Sequence, residues 1–387
     1  MPCMTLSMTY AEYISLAAAS MYALRTLVFM LGAWRARQAS TMTLEQAMAS
    51  EQAFTPFVSV VVPARNEEAN IEHCVRSLMA NTYPHSRYEV VIVNDRSTDR
   101  TGEILSALQA EFPNLIVHNT LDDRSNSNLQ GKPRAVHQGI MRSEGEIILM
   151  TDADCVVAPT WIREIAERYA NPRVGLVAAF TVVSGNRFFD TLQMLEWTIN
   201  NTMASAGVGL KHPLGCFGNN LSVRRSVYEA LGGYERIPFS VTEDLALLQA
   251  VHEAGWETRY LCSAASKIET MPCPDLAAFT KQHHRWINGG KRLGLKGQVF
   301  VASSLMIWIA LGAALVSASW TLLAGLIAMR ILANMLLTAP SFSALGMITA
   351  LWRMPLAEPF FLAIELAMPL LAMKSTVEWK GQILRNH

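Results

Sequence analysis

The chain has 387 residues, 51% of them hydrophobic and only 17% charged, with 32 basic and 32 acidic side chains. It is longer than one ordinary domain, too apolar for a typical soluble enzyme and too charged to be membrane throughout. The even balance of charge argues against a nucleic-acid partner. Six scattered cysteines (Cys3, Cys74, Cys155, Cys216, Cys262, Cys273) with no C-x-x-C pair argue against a disulfide scaffold or structural zinc and suit a reducing compartment.

Apolar residues dominate from Tyr13 to Trp34, followed by Arg35 and Arg37, which predicts a transmembrane helix within an anchor at 1–37. No A-x-A-like cleavage site follows, so the segment reads as retained. A polar stretch, 38–56, reads as a linker. From 57 to 274 short apolar runs alternate with amphipathic segments. The runs are 58–63, 88–95, 114–119, 146–154 and 174–183; the segments 70–80 and 100–111 have helical character. This alternation predicts an α/β domain with a mostly parallel sheet covered by helices on both faces. The basic, amphipathic stretch 275–297 predicts a helix lying at the bilayer surface. From 298 to 387 the chain is largely apolar, with predicted spans at 299–319, 320–338 and 356–373 and a shorter apolar piece at 341–352.

Arg35 and Arg37 on one side, and Lys291, Arg292 and Lys296 on the other, flank the α/β domain and place it in the cytoplasm by the positive-inside rule. Three C-terminal spans would then put Lys374, Lys380 and Arg385 outside, so one segment is expected to be re-entrant or interfacial. Arg25, Arg330, Glu358 and Glu365 fall inside apolar stretches, where unpaired charge is costly. Two outcomes are open: Arg25 or Arg330 pairs with Glu365, or the arginines snorkel to the interface.

Ligands of open parallel sheets bind beyond the carboxyl ends of the strands. Three predicted strands end in PARNEE (63–68), NDRSTD (94–99) and TDADC (151–155), which gathers acidic and amide groups at one edge. No G-x-G-x-x-G follows the first strand and no G-x-x-x-x-G-K-[ST] occurs, which argues against a dinucleotide-binding Rossmann enzyme and a P-loop NTPase. Asp152 and Asp154, flanking one alanine after a very apolar strand, can share a divalent ion with a diphosphate.

The ordered set PARNEE, NDRSTD, GKPRAVHQG (131–139), TDADC, GNNLSVRR (218–225), TEDLAL (242–247) and QHHRW (282–286) resembles glycosyltransferase family 2, with the GT-A fold, over about residues 57–290. TEDxxL followed by QxxRW resembles the membrane-bound branch that includes ceramide glucosyltransferases and polysaccharide synthases. The resemblance implies a nucleotide-sugar donor held by Asp95 at the base, with Ala64 and Glu67 nearby, and by Lys132, Asp152, Gln282 and Arg285. It implies Mg2+ or Mn2+ at Asp154, with Asp152 beside it. It further implies that Glu243 and Asp244, at a helix start with Thr242 as the expected N-cap, form the catalytic pair with Asp244 as general base, and that Trp286 is a platform for the acceptor.

Alternatives stand beside these roles. Glu243 and Asp244 suit a helix dipole, and Trp286 suits a membrane anchor. Gln282, Arg285 and Trp286 share one helix face, which favours a site; His283 and His284 read as solvated or packing residues. The expected function is an inverting hexosyltransferase, an integral membrane protein using a nucleotide-sugar, with UDP-sugar as the expected donor, and a lipid-type acceptor. The runner-up is a processive polysaccharide synthase, and a third reading is a non-catalytic nucleotide-sugar or lipid-binding protein. Sugar, acceptor and oligomeric state carry no sequence signal.

Overall fold

The computed structural model describes residues 8–48, 54–120, 129–373, 376–379 and 382–385; Cys3, Lys374 and Lys380 lie outside these. Helix α1 (Tyr10–Met48) leads into β1 (Val58–Ala64), α2 (Ile71–Met79), β2 (Tyr88–Asn94), α3 (Thr101–Glu111), β3 (Leu115–Asn119), α4 (Gly131–Met141) and β4 (Ile147–Met150). After these come β5 (Cys155–Val157), α5 (Trp161–Ala166), β6 (Val174–Ala179), β7 (Thr181–Val183), α6 (Phe188–Gly209), β8 (Leu221–Arg224), α7 (Arg225–Ala230) and α8 (Gly233–Arg236). The α/β part closes with α9 (Glu243–Glu253), β9 (Glu257–Leu261) and β10 (Ile268–Thr270). Helices α10 (Leu276–Gly290), α11 (Gly294–Val316), α12 (Trp320–Ala344) and α13 (Met354–Ala372) precede a hairpin of β11 (Thr376–Trp379) and β12 (Gln382–Arg385).

The main sheet has the order β3-β2-β1-β4-β8-β6-β9, with β8 antiparallel to both neighbours and the remaining pairs parallel. A small sheet, β5-β10-β7, lies apart. Alternation along β1 explains its sequence: Val58, Val60 and Val62 join the core beneath α2 and α5, and Val61 joins the opposite core with α4 and α9. Both faces are covered, so the strand reads as a continuous apolar run, each buried valine contributing about 1.5–3 kcal/mol. Helix α2 buries Ile71, Cys74, Val75 and Leu78, the i, i+3, i+4, i+7 stripe of an amphipathic helix. Two expected runs are divided. The strand of 146–154 ends at Met150, leaving Asp152 and Asp154 beyond it, and 174–183 splits into β6 and β7 as the chain changes sheets.

Among the described residues three helices are long and apolar enough to cross a membrane: Tyr10–Thr41, Leu276–Val316 and Trp320–Ala344. The second joins α10 to α11 through a 3-10 turn at Lys291–Leu293. Helix α13, expected as a further span, is not one of the three. Helix α1 runs on through the stretch expected to be a linker. Ser40 is buried there and donates to the Ala36 carbonyl at 3.0 Å and to the Tyr260 carbonyl at 3.4 Å, so one face of this polar stretch meets protein. Against α6 the packing is close: a methyl group at Gly209 would overlap the Gly32 carbonyl oxygen, and one at Gly32 would lie 2.5 Å from the Ala206 carbonyl oxygen.

The charges in the apolar helices divide. Arg330 forms ion pairs with both Glu358 and Glu365, the latter through Nη1 at 3.0 Å and Nη2 at 2.9 Å. Asn334 and Trp308 also donate to these carboxylates. The pairing expected for Glu365 is thus made by Arg330; Arg25 pairs with no carboxylate among the described residues. Removing one partner of a buried pair leaves the others uncompensated, so Arg330→Met is expected to cost about 3–5 kcal/mol. An unchanged melting temperature of the purified full chain would contradict this.

Candidate active site at the sheet edge

Parallel register sets Ala64 beside Asn94, and the Asp95 backbone N–H donates to the Ala64 carbonyl at 2.7 Å. The loops after β1 and β2 interlock. Asn66, in the left-handed region at φ 53°, accepts from the Thr98 N–H at 2.8 Å and donates its own N–H to Ser97 Oγ at 3.0 Å. Asp95, 2% exposed, accepts from Arg96 Nε at 2.9 Å and Thr120 Oγ1 at 3.0 Å, with Arg134 Nη2 at 3.5 Å and Arg65 Nη1 at 3.9 Å. Burial raises its carboxyl, but the hydrogen bonds from Arg96 and Thr120 and the charges of Arg96 and Arg134 outweigh that and hold it below the ordinary range. Asp95 is therefore an anion at neutral pH, fixed at the strand end.

At the end of β4, Asp152 Oδ1 accepts from Lys132 Nζ at 2.7 Å, and the same ammonium lies 3.3 Å from Glu243 Oε1. Lys132 so bridges the Asp152 edge to the start of α9. Its pKa is raised: burial acts downward, and the charges of Asp152, Glu243 and Asp244 overcome it. Asp154 is pushed up to about 6 by burial and by the neighbouring Asp152 and Glu67. Glu67 itself holds its backbone N–H to Thr101 Oγ1 at 2.8 Å and accepts from Asn70 at 3.1 Å. No group of three or more His, Cys, Asp or Glu residues is placed to hold a metal among the described residues. Two crowded carboxylates with excess negative charge do fit a divalent ion that draws its remaining ligands from phosphates and water.

Glu243 and Asp244 open α9. The Asp244 carboxylate accepts from Gly218 N–H at 2.7 Å through Oδ2 and from Leu245 N–H at 2.8 Å through Oδ1. Burial first, then the charge of Glu243, push it up to about 6 against the opposing pull of Lys132 and these two N–H groups. Thr242 occupies the N-cap position but makes no capping bond; its hydroxyl lies 3.1 Å from Ser240 Oγ instead. Helix α10 docks here through Gly289, where a methyl group would overlap the Thr242 side chain. Gly289→Val is expected to displace α10 and lower turnover by at least about tenfold, since small misplacements near reacting groups are costly. Wild-type kinetics in that variant would refute the contact.

Of the QHHRW residues, Arg285 faces a small cleft with Lys132 and Glu243, and Gln282 has its Oε1 buried with no hydrogen-bond partner. Trp286 packs edge-on against Trp197 at 5.3 Å and Phe217 at 5.5 Å. Trp286, Phe217 and Asp244 open into a cavity of about 940 Å³ that continues between the apolar helices to Tyr22, Arg25, Arg330 and Glu365. The structure thus gathers the expected residues into two groups. Ala64, Glu67 and Asp95 lie with Asp152 and Asp154 along the strand ends, while Asp244 and Trp286 face the cavity; Lys132, Glu243 and Arg285 meet between them.

Sequence reasoning missed Arg134 at Asp95, and the buried pair of Glu196 and His283, whose Nε2 lies 2.6 Å from Glu196 Oε1. His283 also meets the Phe279 carbonyl at 2.9 Å, so it packs rather than facing solvent. Arg134 stands two residues after Lys132, a signal that was available. Nothing local marks Glu196.

The chain has the GT-A fold. The mannosyltransferase PcManGT from Pyrobaculum calidifontis, in complex with GDP-Man and Mn2+, shares it with a TM-score of 0.57 at 19% identity, over 91% of this chain and 99% of that one. The chain belongs to glycosyl transferase family group 2, whose model matches residues 147–372; the model of glycosyl transferase family 2 matches residues 59–232. Beta-monoglucosyldiacylglycerol synthase of Nostoc sp. is 32% identical over 246 residues, 62% of this chain and 50% of that protein. The synthase of the same name from Synechocystis sp. is 28% identical over 260 residues, 65% of this chain and 52% of that protein. The chain therefore spans about half the length of these curated relatives.

Proposed function

We propose that this protein is an inverting hexosyltransferase that moves a sugar from a nucleotide-sugar, with UDP-sugar the favoured donor, to a hydroxyl of a lipid-type acceptor at the cytoplasmic membrane face. One observation carries this reading: the cavity that begins at Asp244 and Trp286 runs on among the apolar helices as far as Tyr22 and Arg330. Its wall is mostly apolar, which suits a lipid and not a growing polysaccharide. The relatives named for diacylglycerol glucosylation and the neighbour bound to GDP-Man and Mn2+ support it. The proposed division is an anchor beginning in 1–37, a cytoplasmic catalytic domain at 57–274, an interfacial helix within 275–297 and membrane helices beyond.

In this mechanism Asp95 and its arginines hold the base, with Ala64 and Glu67 shaping that pocket, and Gln282 and Arg285 close over the diphosphate with Lys132. Mg2+ or Mn2+ held by Asp154 and Asp152 would supply stabilisation of the charge that develops on the departing diphosphate. Arg285 adds positive charge at the same place. Asp244 takes the proton of the acceptor hydroxyl, positioned for it by two backbone N–H groups, with Glu243 holding Lys132 alongside. The acceptor oxygen attacks the anomeric carbon in line with and opposite to the departing nucleoside diphosphate, in one step with no covalent enzyme intermediate, so the anomeric configuration inverts. The test is the purified full chain with UDP- and GDP-sugars, Mg2+ or Mn2+, and lipid extract. Sugar should appear in a lipid product of inverted configuration. Intact donors throughout, or sugar released only into water-soluble products, would sink the reading.

A further inference from the structure

The membrane end of the cavity holds a cation whose hydrogen-bond donors are not met. Arg25 lines the cavity, its guanidinium lying 5.0 Å from the Phe29 ring, 5.3 Å from Phe300 and 5.6 Å from Tyr22. Nη2 donates to Met203 Sδ at 3.4 Å, a weak acceptor, and Nε is buried with no partner. No oxygen among the described residues accepts from it. Aromatic faces stabilise the charge, but a guanidinium N–H shielded from water wants an oxygen.

That oxygen need not be charged. Glu358 and Glu365 are both directed at Arg330, and the two arginines and two carboxylates sum to zero. An anion arriving here would be the uncompensated charge in an apolar cavity. A neutral acceptor of hydrogen bonds satisfies Arg25 without that cost. The position also fits. Helix α6 carries Glu196 near Trp286 and, seven residues on, Met203 at Arg25. Seven residues of helix are roughly 10 Å, so the cavity lined by Asp244, Trp286 and Arg25 runs along α6 and can take an alcohol whose hydroxyl meets Asp244 and whose oxygen-bearing linkage lies toward Arg25.

We infer that Arg25 is a specificity-determining residue that donates to an ester carbonyl of the acceptor, selecting acylglycerol alcohols over sterol, hopanoid or carotenoid alcohols that lack such an oxygen. This rests on the reading of the cavity as the acceptor site.

The experiment compares a 1,2-diacylglycerol, the chain-matched 1,2-dialkylglycerol ether, a sterol and phosphatidylglycerol. Lipid retained by the full chain without donor is measured by native mass spectrometry, and KM and kcat are then measured with donor. The wild type should retain the diacylglycerol about tenfold better than the ether, the effect of a hydrogen bond to a charged group. Arg25→Met should erase that preference through KM, with kcat retained, and Arg25→Lys should restore part of it. Equal retention of ester and ether by the wild type, which needs no variant, overturns the inference. So does an unchanged preference in a folded Arg25→Met protein, or stronger retention of phosphatidylglycerol than of diacylglycerol. Ester preference in binding without sugar transfer to any lipid would support the role of Arg25 while refuting the catalytic reading.

Discussion

Replacing Asp244 by Asn should lower kcat by about 10²–10⁴, with donor binding close to wild type. The carboxylate is held by the Gly218 and Leu245 N–H groups, so an amide of the same shape keeps the fold and loses the basicity. Because burial and Glu243 raise its pKa to about 6, the base is ionised above that value and protonated below it. The kcat at saturating donor should then fall about tenfold per pH unit below pH 6, and this limb should be missing from the Asp244→Asn profile. A variant that loses donor affinity at an unchanged rate would move Asp244 into the donor pocket.

Asp154→Asn should abolish turnover while the chain still inserts and melts no lower than the wild type. Burial first, and then the charges of Asp152 and Glu67, raise the pKa of its carboxyl, so the site favours a cation. Removing one negative charge relieves the repulsion and should leave the fold intact or stabilised, while binding of the divalent ion weakens. Excess EDTA should silence the wild type in the same assay, with Mg2+ or Mn2+ restoring it. Full activity of the variant, or of the wild type in EDTA, would refute the metal assignment.

The α/β domain was legible because strands covered on both faces must be continuous apolar runs, and β1, β2 and β4 are short and strongly marked. Their parallel register then puts Ala64, Asp95 and Asp152 at one edge, which sequence order alone suggests. Other features depend on groups far apart in the chain. Glu196 and His283 are separated by 87 residues, and each looks unremarkable in its own helix. The extent of α1 was missed for a related reason: Ser40 and its polar neighbours resemble a linker until Tyr260 is seen beside them. The charges of α13 were visible as costly, and Glu365 as a partner for an arginine, but nothing in the sequence shows that Glu358 and Glu365 converge on the same arginine of α12.

Helix α1 contributes Tyr22 and Arg25 to the cavity and meets α6 backbone to backbone at Gly32 and Gly209. Its 39 residues make roughly 58 Å of helix, about twice the hydrocarbon thickness of a bilayer. In the proposed mechanism, membrane attachment and acceptor binding therefore share one helix. A chimera with a foreign hydrophobic helix in place of residues 8–41 should still be recovered with membranes, yet release its sugar to water instead of passing it to lipid. Any replacement helix would have to supply a cavity wall as well as a hydrophobic length.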